Sequence, residues 1–189
     1  MIRLDTTRDV LLIDTSYYII YRYHALHRWF QLSETFCDEE AYLIKYKQLF
    51  VSNLLKIVKK LKVPFENVVL VGDCSRKSIW RMDMCSTYKA SRDEYWEKHP
   101  IKENIFPLIH DEIIPSLIAN KGVQYVCYNR LEADDVVYCI KRRLAEGGFD
   151  KRLLVVTNDN DYLQLVAPNV DILNLPSLKS IAERQNGCP

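Results

Sequence analysis

The sequence predicts an α/β protein with a mostly parallel central sheet flanked by helices. Three observations predict it. Short continuous apolar runs recur: VLLI from Val10, VVLV from Val68 and LLVV from Leu153. Each has the length and uniformity of a strand buried on both faces. Segments with helical apolar spacing lie between them, and alternation of the two types implies strands joined by crossover helices. Turn and cap residues then punctuate the boundaries.

In chain order, Val10 to Ile13 is the first strand and Ser16 to about Arg28 a helix. Glu39 to Leu61 is a longer helix, with Leu43, Phe50, Leu54, Ile57, Val58 and Leu61 on one face and Pro64 as a stop. Val68 to Val71 is the second strand. Residues 74–100 show no clean period. Ile101 to about Asn120 reads as a helix, although Pro107 and Pro115 should break or kink it. Val123 to Tyr128 is the third strand, after the turn at Lys121-Gly122. Leu131 to Glu146 is a helix capped by Gly147-Gly148. Leu153 to Val156 is the fourth strand, Tyr162 to Val166 a short helix and Val170 to Leu173 a fifth strand.

Composition removes several function classes. Glycine occurs only at 72, 122, 147, 148 and 187, which fits neither a dinucleotide-binding G-x-G-x-x-G nor a phosphate-binding P-loop. No apolar run approaches the roughly 18 residues of a membrane span, and the polar start is not a signal peptide. Six cysteines, Cys37, Cys74, Cys85, Cys127, Cys139 and Cys188, contain no C-x-x-C, so a zinc ribbon and a thioredoxin motif are both absent. Cys127 and Cys139 fall in expected core elements, where cysteine acts as a small apolar residue. The reading is an intracellular protein of a reducing compartment. His24 and His27 lack a third ligand in reach, and Thr15 and Ser16 lack a histidine base. Tyr17, Tyr18, Tyr21 and Tyr23 are read as helix packing.

The acids carry the function. Asp14 directly follows the first strand, and Asp73 follows the second after one glycine. Glu132, Asp134 and Asp135 open the helix after the third. Asp159 and Asp161 follow the fourth. In an open parallel sheet all strand C-termini share one edge, where ligands bind, so these seven carboxylates belong to one crevice. A single acid there could be a helix N-cap, as for Asp14, Asp134 or Asp159. Pairs and triplets at four strand ends exceed what capping needs. Oxygen ligands without His or Cys suit Mg²⁺ or Mn²⁺. Two such ions can activate a water and stabilise the leaving oxygen of a phosphodiester.

A second feature lies beside them. From Arg76 to Lys102, seven bases (Arg76, Lys77, Arg81, Lys89, Arg92, Lys98, Lys102) face four acids (Asp83, Asp93, Glu94, Glu97), with Trp80, Tyr88, Tyr95 and Trp96 interleaved. Lys and Arg on phosphates and aromatics under bases would use such a composition. The alternative is a solvated loop whose aromatics tuck into the core.

Three segments, Leu11-Leu12-Ile13-Asp14, Glu132-Ala133-Asp134-Asp135-Val136-Val137 and Val156-Thr157-Asn158-Asp159-Asn160-Asp161, resemble the flap endonuclease / 5′-3′ exonuclease family. That family includes the 5′ nuclease domain of bacterial DNA polymerase I and bacteriophage flap endonucleases. Gly72-Asp73 followed by Lys77-Ser78, Arg81, Tyr88-Lys89 and Arg92 is similar to its second block. The resemblance runs from Val10 to about Leu175 and implies a PIN-like 5′ nuclease fold, with a basic helical arch around 74–100. It also implies two Mg²⁺ (or Mn²⁺) ions and cleavage of phosphodiesters in branched or 5′-ended DNA or RNA/DNA. By resemblance, Asp14, Asp73, Glu132, Asp134, Asp135, Asp159 and Asp161 hold the metals or their waters. Lys89 reaches the scissile phosphate with Arg92 beside it. Lys77, Arg81, Tyr88 and Arg22, eight residues after Asp14, bind the nucleic acid.

The expected organisation is a catalytic domain over 1–175, then at 176–189 the start of a truncated or absent helix-hairpin-helix region. The family's last acidic block, G-D-x-x-D-N, does not occur. The chain is read as the N-terminal part of a longer nuclease, or as a short natural form, acting as a monomer away from membranes. Two rivals stand beside a 5′ nuclease. One is a PIN-like ribonuclease, which would lack the long basic bridge. The other is a nucleic-acid-binding module with weak or no activity. The near-neutral total, 26 bases against 25 acids, does not oppose nucleic-acid binding. Setting the seven acids aside leaves 26 bases against 18 acids, a basic surface around an acidic crevice.

Overall fold

A computed structural model describes residues 2–33, 38–89 and 103–181. Five strands form one sheet in the order β3-β2-β1-β4-β5, and every pairing is parallel. They are β1 (Val10–Asp14), β2 (Val68–Val71), β3 (Gln124–Val126), β4 (Leu153–Val156) and β5 (Val170–Leu173). The first three strands step outward to one side. The chain then returns to the other side of β1 for β4 and β5. The order therefore reverses at the β1/β4 junction, the kind of point where open α/β sheets bind ligands.

The apolar runs are continuous because both faces are covered. Leu11, Ile13, Val68, Leu70, Leu154 and Val156 pack into one core layer. Their alternate neighbours Val10, Leu12, Val69, Val71, Leu153 and Val155 pack into the other. The period-two geometry of a strand separates the two sets.

The first layer is built by α1 (Thr15–Ser33), α2 (Glu39–Leu61) and a helix, α4, that runs in three segments. Tyr18 and Tyr23 of α1 and Tyr42, Tyr46, Phe50 and Leu54 of α2 are buried there. The tyrosine density of α1 is thus a packing device. The Tyr18 and Tyr46 hydroxyls donate to the carbonyls of Phe50 and Ile19. α2 has the predicted bounds. Asp38 caps its start by accepting from the Ala41 amide at 2.7 Å, and Lys62 ends it with φ 57°. Glu39 and Glu40 in the first turn and Lys59 and Lys60 in the last complement the helix dipole.

In α4 the prolines change the helix type without ending it. Ile105–Pro107 is α-helical, Leu108–Ile113 is π-helical and Ile114–Lys121 is α-helical again. Pro107 lies in the first turn, where no N–H is required. The wider π turn precedes Pro115, which has no N–H to give to the carbonyl four residues back.

The second layer is covered by α5 (Ala133–Glu146) and the 3₁₀ turn Asn160–Leu165. α5 begins two residues later than its apolar pattern suggests, because Glu132 is its N-cap. It ends at Gly147-Gly148, where Gly148 has φ 74°. Beyond β5 the chain folds back. The Ile181 amide donates to the Ile172 carbonyl at 2.8 Å, and Ile181 joins this core.

Two expectations are corrected. Cys127 and Cys139 are exposed, not core residues. β3 stops at Val126, and Cys139 lies on the solvent side of α5, whose buried stripe is Ala133, Val136, Val137, Ile140 and Leu144. The third strand is also shorter than Val123 to Tyr128. No helix among the described residues is long and apolar enough to cross a membrane.

Candidate active site

Two loops are stitched together at the C-terminal edge of the sheet. The Gly72 amide donates to the Val126 carbonyl at 2.8 Å, Cys74 N to Leu131 O at 3.2 Å and Trp80 N to Arg130 O at 3.0 Å. The Ala133 amide donates to Asp73 Oδ1 at 2.7 Å. Gly72 allows a close approach here, since a Cβ would lie 2.4 Å from the Tyr125 hydroxyl and the tyrosine would have to shift. This stitching sets the segment after β2 against the N-terminus of α5. It carries a short helix, α3 (Trp80–Met84), onto the acids.

The structure brings Arg81, Tyr88 and Lys89 together with Glu132, Asp134 and Asp135. Arg81 grips Asp135 with both guanidinium nitrogens at 2.8 Å and reaches Glu132 Oε2 at 2.6 Å and Asp134 Oδ2 at 3.5 Å. Lys89, in a left-handed turn at φ 55°, donates to Glu132 Oε1 at 2.6 Å. The Tyr88 hydroxyl donates to Glu132 Oε2 at 2.9 Å. Trp80 Nε1 donates to Asp135 Oδ2 at 3.1 Å. Burial alone would raise the Glu132 carboxyl. The bonds from Lys89 and Tyr88 and the charges of Lys89 and Arg81 outweigh it and hold Glu132 below its ordinary value. Asp134 is pushed up by burial, against the pull of Arg81.

Asp14 sits differently. It is 7% exposed at the β1 end, the point where the strand order reverses. Its Oδ1 accepts the Tyr17 amide at 3.0 Å, so it caps α1, and its Oδ2 accepts Thr157 Oγ1 at 3.1 Å. Burial, with the charge of Asp73 adding to it, drives this carboxyl up to about 6. Asp159 caps the 3₁₀ turn by accepting the Asp161 amide at 3.0 Å, and Asp161 is exposed. Among the described residues no ion pair reaches Asp14, Asp73, Asp159 or Asp161.

All seven acids therefore share the edge, and Asp14, Glu132 and Asp159 occupy cap positions as well. They do not form a closed cage. Among the described residues no three of them are gathered tightly enough to hold an ion as they stand. Like charges repel at short range, and part of the compensation is supplied by Arg81 and Lys89. The donor chemistry nevertheless fits a hard divalent cation. The candidate donors are all oxygen, and Asp14 is buried near Asp73 without a cationic side chain among the described residues.

The remaining sequence-derived residues lie outside this cluster. Lys77 is exposed and makes no ion pair among the described residues. Arg22 stacks its guanidinium on Tyr18 and Tyr21, 5.1 and 5.2 Å from the ring centres, and pairs with no described acid. Arg92, and the rest of the basic bridge from 90 to 102, lie outside the described residues. Where the bridge is described, its aromatics are not core residues: Trp80 is exposed and Tyr88 half-buried. Trp80 on Asp135 and Thr157 on Asp14 lie inside segments the sequence singles out, without these roles, and one participant, Tyr162, buried in the 3₁₀ turn, carries no signal of its own. The nearest hint is position, since Thr157 and Tyr162 bracket Asp159 and Asp161.

Residues 9–186 match the family described as 5′-3′ exonuclease, N-terminal resolvase-like domain. The chain belongs to this family. It is 27% identical over 165 residues to a 5′-3′ exonuclease of Buchnera aphidicola subsp. Acyrthosiphon pisum, covering 87% of this chain and 51% of that one. It is 26% identical over 162 residues to DNA polymerase I of Streptococcus pneumoniae serotype 4, covering 84% of this chain and 16% of the polymerase. The chain thus spans about half the length of the Buchnera relative. A bacteriophage T5 flap endonuclease, solved as a pseudo-enzyme–product complex with DNA and metal ions, superposes with a TM-score of 0.60 at 15% identity, over 95% of this chain and 61% of that one. The zinc-bound T5 5′-exonuclease superposes at 0.58 and 15% identity, over 91% and 57%. The exonuclease family thus accounts for the resolvase-like, PIN-like arrangement of the sheet.

Proposed function

We propose that this chain is the catalytic region, over 1–175, of a divalent-metal-dependent 5′ nuclease acting on branched or 5′-ended DNA. The observation that carries the reading is the sheet edge itself: carboxylates follow four successive strands, and of the two that are buried, Asp14 and Glu132, Asp14 has no cationic partner among the described residues. Family membership supports the reaction class, and the DNA and metal ions of the T5 neighbour support the substrate and cofactor.

Asp14, Asp73, Glu132, Asp134, Asp135, Asp159 and Asp161 would hold two Mg²⁺ or Mn²⁺ ions directly or through waters. Bound there, such ions supply an activated water and neutralise charge on the phosphodiester. The chain does the rest. The α5 N-terminus and the β1 end fix the acids on rigid elements. Arg81 and Lys89 already stand at the acids, and they turn from carboxylate to phosphate oxygens as the substrate enters. There they offset the charge that grows as the water oxygen bonds to phosphorus and the ester P–O bond breaks. Tyr88 and Trp80 offer aromatic faces at the same entrance. Arg22, Lys77 and Arg92 contact phosphates further along the strand.

Incubation with a 5′-flap DNA tests this. Cleavage should require Mg²⁺ or Mn²⁺ and stop with EDTA. Asp134→Asn should lower the rate about 100-fold or more with little change in folding. A variant cleaving at the wild-type rate would overturn the assignment of the acids.

A further inference from the structure

Among the described residues two buried side-chain polar atoms have no hydrogen-bond partner, Arg22 Nε and the Tyr162 hydroxyl. The first belongs to a guanidinium stacked on two tyrosines. The second is harder to account for. Tyr162 is 2% exposed, and its ring packs in the same core layer as Ala133, Val136 and Val137. A phenylalanine would fill that space without burying an unpaired donor. Burial most of all, then the carboxylates of Asp14, Asp73 and Asp134 in that order, push this hydroxyl above its ordinary value. It lies close enough to favour the ionised form of Asp14 but meets no partner at hydrogen-bonding geometry.

Asp14 has room for it. A carboxylate offers about four acceptor positions, and the Tyr17 amide and Thr157 Oγ1 occupy one on each oxygen. We propose that the Tyr162 hydroxyl is a positioning donor for Asp14, completing with Thr157 and the Tyr17 amide the bonds that present this carboxylate to a divalent cation. The inference rests on the reading of Asp14 as a metal ligand. It adds a role for a residue outside the acidic motifs. Outer partners that orient a ligating group shape metal affinity without touching the metal.

The test is calorimetric titration of the full chain with Mn²⁺ for wild type, Tyr162→Phe and Asp14→Asn, with metal-free melting curves alongside. Tyr162→Phe should raise the Mn²⁺ Kd about tenfold, while its metal-free melting temperature stays level or rises, since a stranded donor has gone. A purely structural tyrosine would show the reverse. Wild-type Mn²⁺ affinity in Tyr162→Phe, with affinity lost in Asp14→Asn, would overturn the role of Tyr162 alone. Wild-type affinity in Asp14→Asn would remove the underlying reading. If Tyr162→Phe does not fold, 3-fluorotyrosine at 162 in the otherwise native chain decides. Its ¹⁹F resonance should shift as Mg²⁺ saturates, and a fixed resonance at saturation would overturn the proposal.

Discussion

The acidic edge has two halves that handle the same charge in different ways. Around the start of α5, Glu132, Asp134 and Asp135 are met by Arg81 and Lys89, and Glu132 is held below its ordinary value. Around the ends of β1 and β2, Asp14 and Asp73 have only neutral donors among the described residues, and Asp14 is driven up to about 6 by burial. The first half is stable as a protein site. The second would be paired on the proposed function by a bound cation. On the proposed function, the difference marks where an ion would contribute most, and it sets Arg81 and Lys89 beside the acids that a phosphate would approach.

The largest expected effect comes from removing the protein's own compensation. Arg81→Met leaves three acids with one fewer cation, two of them partly buried. Folding stability without metal should fall by about 2–3 kcal/mol in urea denaturation. Mg²⁺ should then stabilise this variant more than the wild type. Equal stabilisation of both would mean that Arg81 and the ion do not share a role.

Asp14 and Glu132, one from each half, should also respond to pH with opposite signs. Asp14 has a folded value of about 6 against an ordinary 3.8, so its native form prefers the proton. Its contribution is full below 3.8 and is lost as pH rises towards 6. Metal-free wild type should therefore lose on the order of 2 kcal/mol relative to Asp14→Asn between pH 4 and 7. Glu132 is lowered from 4.5, so its contribution is present above that value and lost as pH falls. Denaturation in EDTA across this range measures both, and a pH-independent difference between wild type and Asp14→Asn would break the comparison.

Much of this was legible in the sequence, for reasons that can be named. Strands buried on both faces leave continuous runs, so Val68–Val71 and Leu153–Val156 have the expected bounds. β3 is an edge strand with only Val126 buried, and its Gln124 serves the loops by bonding Arg3 and Glu66. Edge position weakens the apolar signal. Cys139 was misplaced because neighbouring Tyr138 and Ile140 point to opposite environments, and local hydrophobicity does not reveal which face is turned in. The acids were visible because strand ends share an edge. Their partners were not: Arg81 is more than fifty residues from Glu132, Asp134 and Asp135, and no local pattern predicts which of several arginines turns inward.

Smaller effects refine the picture. Lys89→Ala should reduce turnover about tenfold and weaken DNA binding less, read from single-turnover rates against binding titrations. An equal loss in both would make Lys89 a binding residue only. The smallest change belongs to exposed Lys77. Lys77→Ala should lower the salt slope of DNA binding by about one, and an unchanged slope would remove it from the phosphate path.

The central claim is that the strand-end acids hold divalent ions. Anomalous scattering from crystals of the chain soaked in Mn²⁺ tests it most directly. The account predicts density at the β1/β4 edge bounded by Asp14, Asp73 and Asp134, with Arg81 displaced from at least one of its acids. Well-ordered crystals with no anomalous density at that edge, and Arg81 still gripping Asp135, would contradict it.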